Sequence, residues 1–460
     1  MTLPEQPISP LDGRYRGAVV GLGEHLSEAG LNRARVHVEI EWLIFLTDRE
    51  LFGSSRMSAD RQSALRAIVT GFGQADIDEL AELEATTRHD VKAVEYYIRA
   101  RLEGLGLSDV AELTHFACTS EDVNNLSYAL TIGAAVRNVW LPRLHAVLDA
   151  LTERASTHRA DAMLAHTHGQ PATPTTVGKE FAVFVHRLRR ISRRIEATEY
   201  LGKFSGATGT FAAHVASDPS QDWPALSREF VTSLGLEWNP LTTQIESHDW
   251  QAELYSSISH ANRVLHNLAT DVWTYISMGY FTQIPQAGAT GSSTMPHKIN
   301  PIRFENAEAN LEISSALLDS LAATLVTSRL QRDLTDSTTQ RNIGVALGHS
   351  LLALDNLRRG LDEIAVNPAR LAEDLDANWE ILGEAIQTVI RAEITAGRSS
   401  IADPYALLKE LTRGRRVGRA ELAEFVDGLD IGAEAKVRLT ALTPAGYVGL
   451  ASGLVDYLDR

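Results

Sequence analysis

Apolar residues recur at three- and four-residue steps along most of the chain, which is the period of an amphipathic α-helix. This period predicts helices over residues 31–46, 91–105, 141–156, 180–201, 248–281, 305–326 and 342–364. Several of these segments are long for a globular helix, and strand-like alternation is scarce. Frequent Ala, Ser and Gly would let such helices pack closely against each other. The pattern therefore predicts an all-α protein with a central bundle of unusually long helices.

The predicted helices and the turn signals between them divide the chain into three blocks. Residues 1–114 form an N-terminal domain of shorter helices, and residues 115–365 hold the long helices of the central bundle. Residues 366–460 return to short helices separated by turns. We therefore expect three domains.

Composition excludes several classes of partner. The 460-residue chain has a formal net charge of -16, so its surface as a whole repels nucleic acid and anionic membranes. No apolar stretch approaches the ~20 residues that span a bilayer, and the N-terminus shows no secretory pattern. Cys118 is the single cysteine, which excludes an intrachain disulfide and fits a reducing compartment. The expected location is the cytoplasm.

Polar loops stand immediately before several predicted helices. The proposed helix starts are Thr119 or Ser120, Thr173 followed by Pro174, Asn300 followed by Pro301, the region of His89 and Asp90, and about Asn342. A helix start exposes backbone N–H groups at the positive end of the helix dipole, where carboxylates and phosphates bind. Each loop taken alone could equally be an ordinary cap. Together they suggest an anion site built from loops.

The side chains in these loops suit acid–base chemistry better than metal or cofactor chemistry. The chain has no phosphate-binding glycine motif, no His-Glu-x-x-His and no cysteine pair, so no metal and no cofactor are expected. His168 lies among polar residues and could titrate near neutral pH, or could simply be a hydrogen-bonding residue. Lys298 and Asn300 could hold a carboxylate. The residues alone indicate acid–base chemistry on a multiply anionic small molecule.

One loop makes the predicted chemistry more specific. GSSTMPHKINP, residues 291–301, resembles the signature loop of the fumarase/aspartase superfamily at every position of its pattern. Further segments resemble the adenylosuccinate lyase branch of that superfamily: DGRY (12–15), TRHDVKAVEYY (87–97), TSEDVNN (119–125), HTHGQPATP (166–174), TTQIESHDW (242–250) and QRDLTDSTTQRN (331–342). The resemblance extends in order over nearly the whole chain.

The resemblance implies a reaction and residue roles. It implies cleavage of adenylosuccinate to AMP, and of succinylaminoimidazole carboxamide ribotide to aminoimidazole carboxamide ribotide, each with release of fumarate. Ser292 would remove the carbon proton, His168 would protonate the leaving nitrogen, and His89 would orient or charge the site. The implied substrate-binding residues are Arg14, Tyr15, Arg88, Asp90, Thr119, Ser120, Thr167, Gln244, Lys298, Asn300, Arg332, Ser337 and Arg341. Among them, Lys298 and Asn300 would hold a succinyl carboxylate.

The resemblance implies that the phosphate and ribose end of the substrate is held by Arg14, Tyr15, Arg332, Ser337 and Arg341. Thr119, Ser120, Thr167 and Gln244 would contact the succinyl and base portions. The resemblance also implies the three-domain superfamily lyase fold, assembled into a homotetramer around a shared helical core, with each site formed where three subunits meet. Two alternatives remain open: a superfamily lyase with another fumarate-releasing substrate, or a helical protein that has kept the scaffold without the activity.

Overall fold

The computed structural model describes residues 6–285, 295, 298–412 and 417–459 of the chain. Its N-terminal part is helical, as the apolar period predicts. The helices there are α1 (Arg16–Leu26), α2 (Glu28–Asp48), α3 (Ala59–Thr70), α4 (Gln74–Thr87), α5 (Asp90–Gly104) and α6 (Ser120–Ala135). Short 3₁₀ turns at Leu51–Gly53 and Ser108–Leu113 separate some of them.

The middle of the chain contains the long helices. They are interspersed with shorter ones in the order α7 (Leu141–Thr157), α8 (Val177–Glu196), α9 (Ala212–Ser217), α10 (Trp223–Ser233), α11 (Asp249–Ser277), α12 (Ile302–Leu325), α13 (Thr335–Gln340) and α14 (Ile343–Asp362). A π-helical turn, Val136–Trp140, joins α6 to α7. The longest, α11, has 29 residues, which corresponds to roughly 44 Å. The prediction of an all-α protein with unusually long central helices is confirmed.

The C-terminal part consists of short helices, again as predicted. They are α15 (Pro368–Asp376), α16 (Gly383–Thr395), α17 (Pro404–Thr412), α18 (Arg419–Asp427), α19 (Ala433–Thr440) and α20 (Ala451–Leu454). Asn367 caps α15 by accepting a hydrogen bond from the Arg370 N–H at 3.3 Å, with Pro368 in the first turn. This is the helix-start chemistry expected of an Asn-Pro pair.

Strands among the described residues are short and pair two by two. They are β1 (Ala162–Thr167), β2 (Gln170–Thr176), β3 (Leu201–Gly202), β4 (Glu237–Trp238), β5 (Phe281–Gln283) and β6 (Ile364–Val366). β1 and β2 form an antiparallel hairpin, β3 pairs with β4 in parallel, and β5 pairs antiparallel with β6.

The prediction that Thr173 caps a helix with Pro174 at its first position is wrong. Both residues lie in β2, and α8 begins three residues later, at Val177. The hydroxyl of Thr176 accepts a hydrogen bond from the Lys179 N–H at 3.2 Å at this helix start. Ladder hydrogen bonds to β1 and the preference of a threonine-rich segment for extended backbone outweigh the local capping signal.

The chain's contacts divide it into two compact units. The first unit comprises Met1–His145, Ile191–Arg263 and Ala309–Asp355, and the second comprises Ala146–Arg190, Val264–Glu308 and Asn356–Arg460. Helices α7, α8, α11, α12 and α14 each contribute residues to both units. The division into domains 1–114, 115–365 and 366–460 stays a prediction.

Each unit has a dense apolar core. In the first unit, residues of α2, α3, α4 and α5 form one cluster, which includes Ile40, Leu43, Val94 and Tyr97. In the second unit, residues of the 3₁₀ turn Trp379–Leu382 and of α16, α18 and α19 form another, which includes Leu382, Ile390 and Val426. No helix among the described residues is both long and apolar enough to cross a membrane.

Candidate active site

The start of α6, in the first unit, carries two of the predicted binding residues. Thr119 caps the helix, and its backbone N–H donates to the Asp122 carboxylate at 2.8 Å. The Asp122 N–H donates back to the Thr119 carbonyl at 2.9 Å. This reciprocal pair fixes the extended backbone of Thr119 and confirms the predicted helix start. Ser120 follows at the first helical position, at the positive end of the helix dipole, where an anion would be stabilised.

Arg332 connects this helix start to two other predicted residues. Its guanidinium lies 2.8 Å from the Glu121 carboxylate in the first turn of α6. It also donates to the Ser337 hydroxyl at 3.2 Å and to the Gln244 side-chain oxygen at 3.4 Å. Gln244 is held in turn by donating to the Ala207 carbonyl at 2.9 Å. Gln244 and, from a second segment, Arg332 and Ser337 therefore converge at the start of α6.

Glu121 is a central residue of this cluster that the sequence analysis did not select. Burial raises the pKa of its carboxyl group, and the Arg332 guanidinium and the Asn124 amide act in the opposite direction. The Asn124 amide donates to Glu121 at 2.7 Å. In the sequence, Glu121 is one polar residue of the TSEDVNN segment, next to the predicted helix start. A buried acid requires a cation partner, but the identity of that cation is a long-range property.

Arg341 lies in a second group of charges in the first unit. It donates to the Glu28 carboxylate at 2.6 Å, and its guanidinium is 3.6 Å from the Asp90 carboxylate. It also donates to the Ser337 carbonyl at 3.1 Å. Two predicted residues, Asp90 and Arg341, are thus brought together. Glu28 thus holds the Arg341 guanidinium from the start of α2.

Arg35 holds Asp90 in place and was also missed by the sequence analysis. Its buried guanidinium donates to Asp90 at 2.7 Å and to the Asn124 side-chain oxygen at 2.9 Å. Burial acts to raise the pKa of Asp90, but Arg35 and Arg341 prevail, and the pKa lies below its ordinary value. Asp90 is therefore a charged residue fixed by a buried arginine.

His89 and Arg88 occupy the junction between α4 and α5. His89 caps α5, and its Nδ1 accepts a hydrogen bond from the Lys92 N–H at 3.2 Å. The predicted helix start at this position is confirmed. Arg88 has a left-handed backbone, with φ 51°, which turns the chain at the end of α4. Both side chains are exposed, so they are available to a ligand.

The predicted N-terminal residues Arg14 and Tyr15 lie at the start of α1. Tyr15 is the N-cap residue, and the Arg14 guanidinium is 5.8 Å from the centre of the Tyr15 ring. Asp12, from the same DGRY segment, lines a cleft of the first unit together with Arg341. The segment thus borders the region of Arg341.

In the second unit, Thr167 and His168 lie at the tip of the β1–β2 hairpin. Thr167 pairs with Gln170, so His168 and Gly169 form a two-residue turn. Both have positive φ, 54° and 72°, as a type I′ hairpin turn requires. A histidine in this conformation is uncommon and somewhat strained. The turn presents an exposed imidazole on a rigid two-stranded support.

The segment before α12, also in the second unit, carries Lys298 and Asn300. The Lys298 N–H donates to the Met295 carbonyl at 3.0 Å, and the Gln283 side chain donates to the Ile299 carbonyl at 2.6 Å. The helix begins at Ile302, within two residues of the predicted start at Asn300. Lys298 is exposed and Asn300 half-buried. Ser292 lies outside the described residues.

Metal-ligating side chains do not cluster in the described part of the chain. No group of three or more His, Cys, Asp or Glu side chains there could hold a metal ion. The chemistry of the two clusters in the first unit is instead that of arginines, hydroxyls and a helix start. Such groups bind carboxylates and phosphates.

Family comparisons agree with this chemistry. A family model described as lyase matches residues 24–312, and one described as adenylosuccinate lyase C-terminal matches residues 328–448. An adenylosuccinate lyase from Haemophilus influenzae is 46% identical over 98% of both chains, and one from Escherichia coli K12 is 47% identical over 98% of both. The chain belongs to the adenylosuccinate lyase family. The family resemblance noted from the sequence motifs is confirmed.

Solved structures place this adenylosuccinate lyase family member in the expected fold. A fumarate lyase from Mesorhizobium sp. BNC1 aligns with a TM-score of 0.75 at 19% identity, covering 95% of this chain and 97% of that one. A 3-carboxy-cis,cis-muconate lactonizing enzyme from Pseudomonas putida aligns with a TM-score of 0.73 at 20% identity, covering 95% and 96%. At these identities the likeness shows the fold alone. The chain is a lyase with the helical fold of this superfamily.

Proposed function

We propose that this enzyme cleaves adenylosuccinate to AMP and fumarate, and succinylaminoimidazole carboxamide ribotide to aminoimidazole carboxamide ribotide and fumarate. In each reaction a proton leaves the succinyl carbon next to a carboxylate. The electron pair of that C–H bond forms the double bond of fumarate, the C–N bond breaks, and the leaving nitrogen takes a proton. No water is consumed and no electrons are exchanged with a cofactor. The proposal rests on the 46% and 47% identity, over 98% of the chain, to relatives named adenylosuccinate lyase.

The arginine clusters support a substrate with several negative charges. A succinyl nucleotide has two carboxylates and a phosphate, whereas the chain has a net charge of -16. Binding therefore requires local positive charge. We assign the phosphate and ribose end to Arg14, Tyr15, Arg332, Ser337 and Arg341. Arg332 and Ser337 already share a hydrogen bond of 3.2 Å, which supports their joint role.

The succinyl end is assigned to the start of α6 and to the segment before α12. Thr119 and Ser120 would offer backbone amides and hydroxyls to a carboxylate, and Lys298 and Asn300 would hold it from the other side. Thr167 and Gln244 would contact the succinyl and base portions. Arg88, His89 and Asp90 would orient the ligand or set the charge around it.

His168 is proposed as the general acid. An acid for a nitrogen leaving group needs an accessible proton donor with a pKa near the working pH, which an imidazole provides. Its exposed position at a two-residue turn, in a conformation that costs roughly 1 kcal/mol or more, supports a functional reason for a histidine there.

Ser292 is proposed as the base, by its place in the signature loop. A hydroxyl is a weak base at its ordinary pKa and needs nearby positive groups to stabilise the alkoxide. Proton loss next to a carboxylate also develops a doubly charged intermediate, which requires fixed positive groups. Lys298 and the N-terminus of α12 could supply the positive charge for both the Ser292 alkoxide and the intermediate.

We also propose a homotetramer located in the cytoplasm, with each site shared among subunits. Large apolar side chains are exposed on long helices, including Val183 of α8, Trp273 of α11 and Ile313 of α12. Such side chains favour burial against another chain. A complementation experiment tests whether the sites are shared among subunits. The inactive His168→Asn and Lys298→Met proteins are partly dissociated into subunits, mixed and allowed to reassemble. Activity should return in the mixture if the two residues serve a site from different chains, and a mixture that stays inactive would contradict it.

A substrate panel tests the proposed reaction. Purified protein is supplied with adenylosuccinate, argininosuccinate, aspartate and malate in separate absorbance assays that follow fumarate. We expect fumarate from adenylosuccinate in a one-to-one ratio with AMP, and none from the other three. Faster release from another substrate would favour a different lyase of the superfamily, and no release from any would favour a scaffold without activity.

A further inference from the structure

The charged side chain of Lys203 is fully buried near the start of α6, and the proposed reaction gives it no role. It follows β3 in the first unit, and both its side chain and that of Asp122 are 0% exposed. Its Nζ lies 2.8 Å from the Asp122 carboxylate and donates to the Gly206 carbonyl at 3.0 Å. Lysine is rarely buried unless it is paired. A charged pair withdrawn from water in this way calls for a physical explanation.

Asp122 links the loop after β3 to the start of α6. Besides the Thr119 N–H, its carboxylate accepts hydrogen bonds from the backbone N–H groups of Ser205, at 2.8 Å, and Gly206, at 3.1 and 3.2 Å. Asn125 reinforces the link, because its side chain accepts from the Lys203 N–H at 2.8 Å and donates to the Lys203 carbonyl at 2.9 Å. The geometry of Thr119 therefore depends on the position of the Asp122 side chain.

This arrangement raises an electrostatic difficulty for ligand binding. The first turn of α6 contains two buried carboxylates, Glu121 and Asp122, next to the amides that would receive a third from the substrate. Like charges at this separation repel strongly in a buried environment. Each of the two carboxylates has its own cation at 2.8 Å: Arg332 beside Glu121, and Lys203 beside Asp122. The two cations offset the two fixed negative charges.

We propose that Lys203 is a positioning residue for the ligand carboxylate: by neutralising Asp122 it lets the start of α6 accept a further negative charge. The inference rests on the proposed function, in which Thr119 and Ser120 hold a substrate carboxylate. Lys203 touches neither Thr119 nor Ser120 in the described contacts, and it acts through Asp122. A lysine that only filled space would give no charge-dependent effect.

The test compares Lys203→Met with the double variant Lys203→Met/Asp122→Asn. Inhibition constants are measured for succinate, which has the carboxylates, and for AMP, which has only the phosphate. We expect Lys203→Met to raise the inhibition constant of succinate by about tenfold or more. The inhibition constant of AMP should stay within about twofold of the parent's. The double variant removes both charges, and its inhibition constant for succinate should return to within about threefold of the parent's. Neutral replacement of a buried pair is far better tolerated than loss of one partner.

Each outcome separates charge from structure. Equal weakening of succinate and AMP by Lys203→Met, or a double variant weaker than the single one, would overturn the proposal. Should Lys203→Met fail to fold, the double variant decides alone: a succinate constant near the parent's supports the inference, and a weakened one overturns it. Ser120→Ala separates this inference from its foundation. Weaker succinate inhibition in Ser120→Ala, together with parental inhibition in Lys203→Met, overturns only the role of Lys203. Parental succinate inhibition in both variants overturns the carboxylate contact at this helix start as well.

Discussion

Arg332 and Glu121 form an ion pair of 2.8 Å between the loop before α13 and the first turn of α6. The Glu121 side chain is 3% exposed and that of Arg332 15%. The pair therefore fixes the guanidinium beside the helix start, from which it also reaches Gln244 and Ser337. A residue expected to bind substrate is thus held by a buried carboxylate, and its binding role and its contribution to stability can be separated by mutation.

Arg332→Met should lower the stability of the protein as well as its affinity for substrate. It leaves Glu121 buried without its cation, which costs roughly 1–3 kcal/mol of unfolding free energy and lowers Tm by several degrees. Burial raises the pKa of Glu121 above its ordinary value in the folded protein. Stability linked to such a group is present below the unfolded pKa and is lost as pH rises through the folded pKa. The Tm deficit of the variant should therefore be smaller at pH 5 than at pH 8.

The double variant Glu121→Gln/Arg332→Met is the matched control for that prediction. It removes the buried charge together with its partner, so Tm should recover much of the loss and its dependence on pH should flatten. Substrate affinity should stay low, because the guanidinium is still absent. A Tm deficit that stays constant with pH and persists in the double variant would contradict the assignment of an unpaired Glu121 as its cause.

Arg341 and Glu28 give a prediction about the phosphate. Arg341→Met should raise the inhibition constant of AMP by roughly tenfold or more, because a charge-assisted contact is lost, with little change for succinate. In the proposed site the phosphate and Glu28 would contact the same guanidinium, so Glu28→Gln should leave AMP inhibition equal or tighter. Inhibition kinetics on the three proteins provide the measurement. Weaker AMP inhibition in Glu28→Gln would show that Glu28 supports the site instead of competing for it.

His168 can be tested without disturbing its hairpin. Asparagine tolerates the left-handed backbone of this turn, so His168→Asn should keep the hairpin and remove only the acid. We expect kcat to fall by about 10²–10⁴-fold with a much smaller change in KM. Gly169→Val is the complementary variant, since it strains the turn but keeps the imidazole. A His168→Asn enzyme with nearly parental kcat would exclude His168 as the acid.

His115 predicts a pH dependence of stability. Burial lowers the pKa of this histidine, but the hydrogen bond of 2.5 Å and the charge of Glu39 prevail, and the pKa is raised above the ordinary 6.5. The stabilisation is therefore fully present below pH 6.5 and is lost as pH rises through the folded pKa. Thermal unfolding from pH 6 to 9 should show this decline in the parent and a flatter profile in both His115→Asn and Glu39→Gln. Parallel profiles in all three proteins would contradict the linkage.

Local signals in the sequence predicted the helices and all of the proposed helix starts except the one at Thr173, within about two residues. The apolar period is a property of each segment alone, so α2, α11 and α14 could be placed within a few residues. Thr119 and His89 were found for the same reason, because a cap acts on the next few residues. Thr173 was misplaced because strand pairing with β1 decides its conformation, and pairing is not a local property.

Long-range charge pairs could not be predicted. Glu121 and Arg332 are far apart in the sequence, as are Arg35 and Asp90, and nothing in either segment identifies the partner. Lys203 was passed over because a lysine in a glycine-rich loop is ordinarily exposed. The hairpin turn at His168 did have a signal, a His-Gly pair between short extended segments, but a histidine with positive φ is uncommon enough to be overlooked.

The central claim is that Ser292 removes the carbon proton in the cleavage of adenylosuccinate, and the forward kcat of Ser292→Ala tests it most directly. Ser293→Ala is the matched control, since it removes a neighbouring hydroxyl of the same loop. We predict that Ser292→Ala loses about 10²–10⁴-fold in kcat while Ser293→Ala stays much closer to the parent. A Ser292→Ala enzyme that releases fumarate from adenylosuccinate at most of the parental rate would contradict the account.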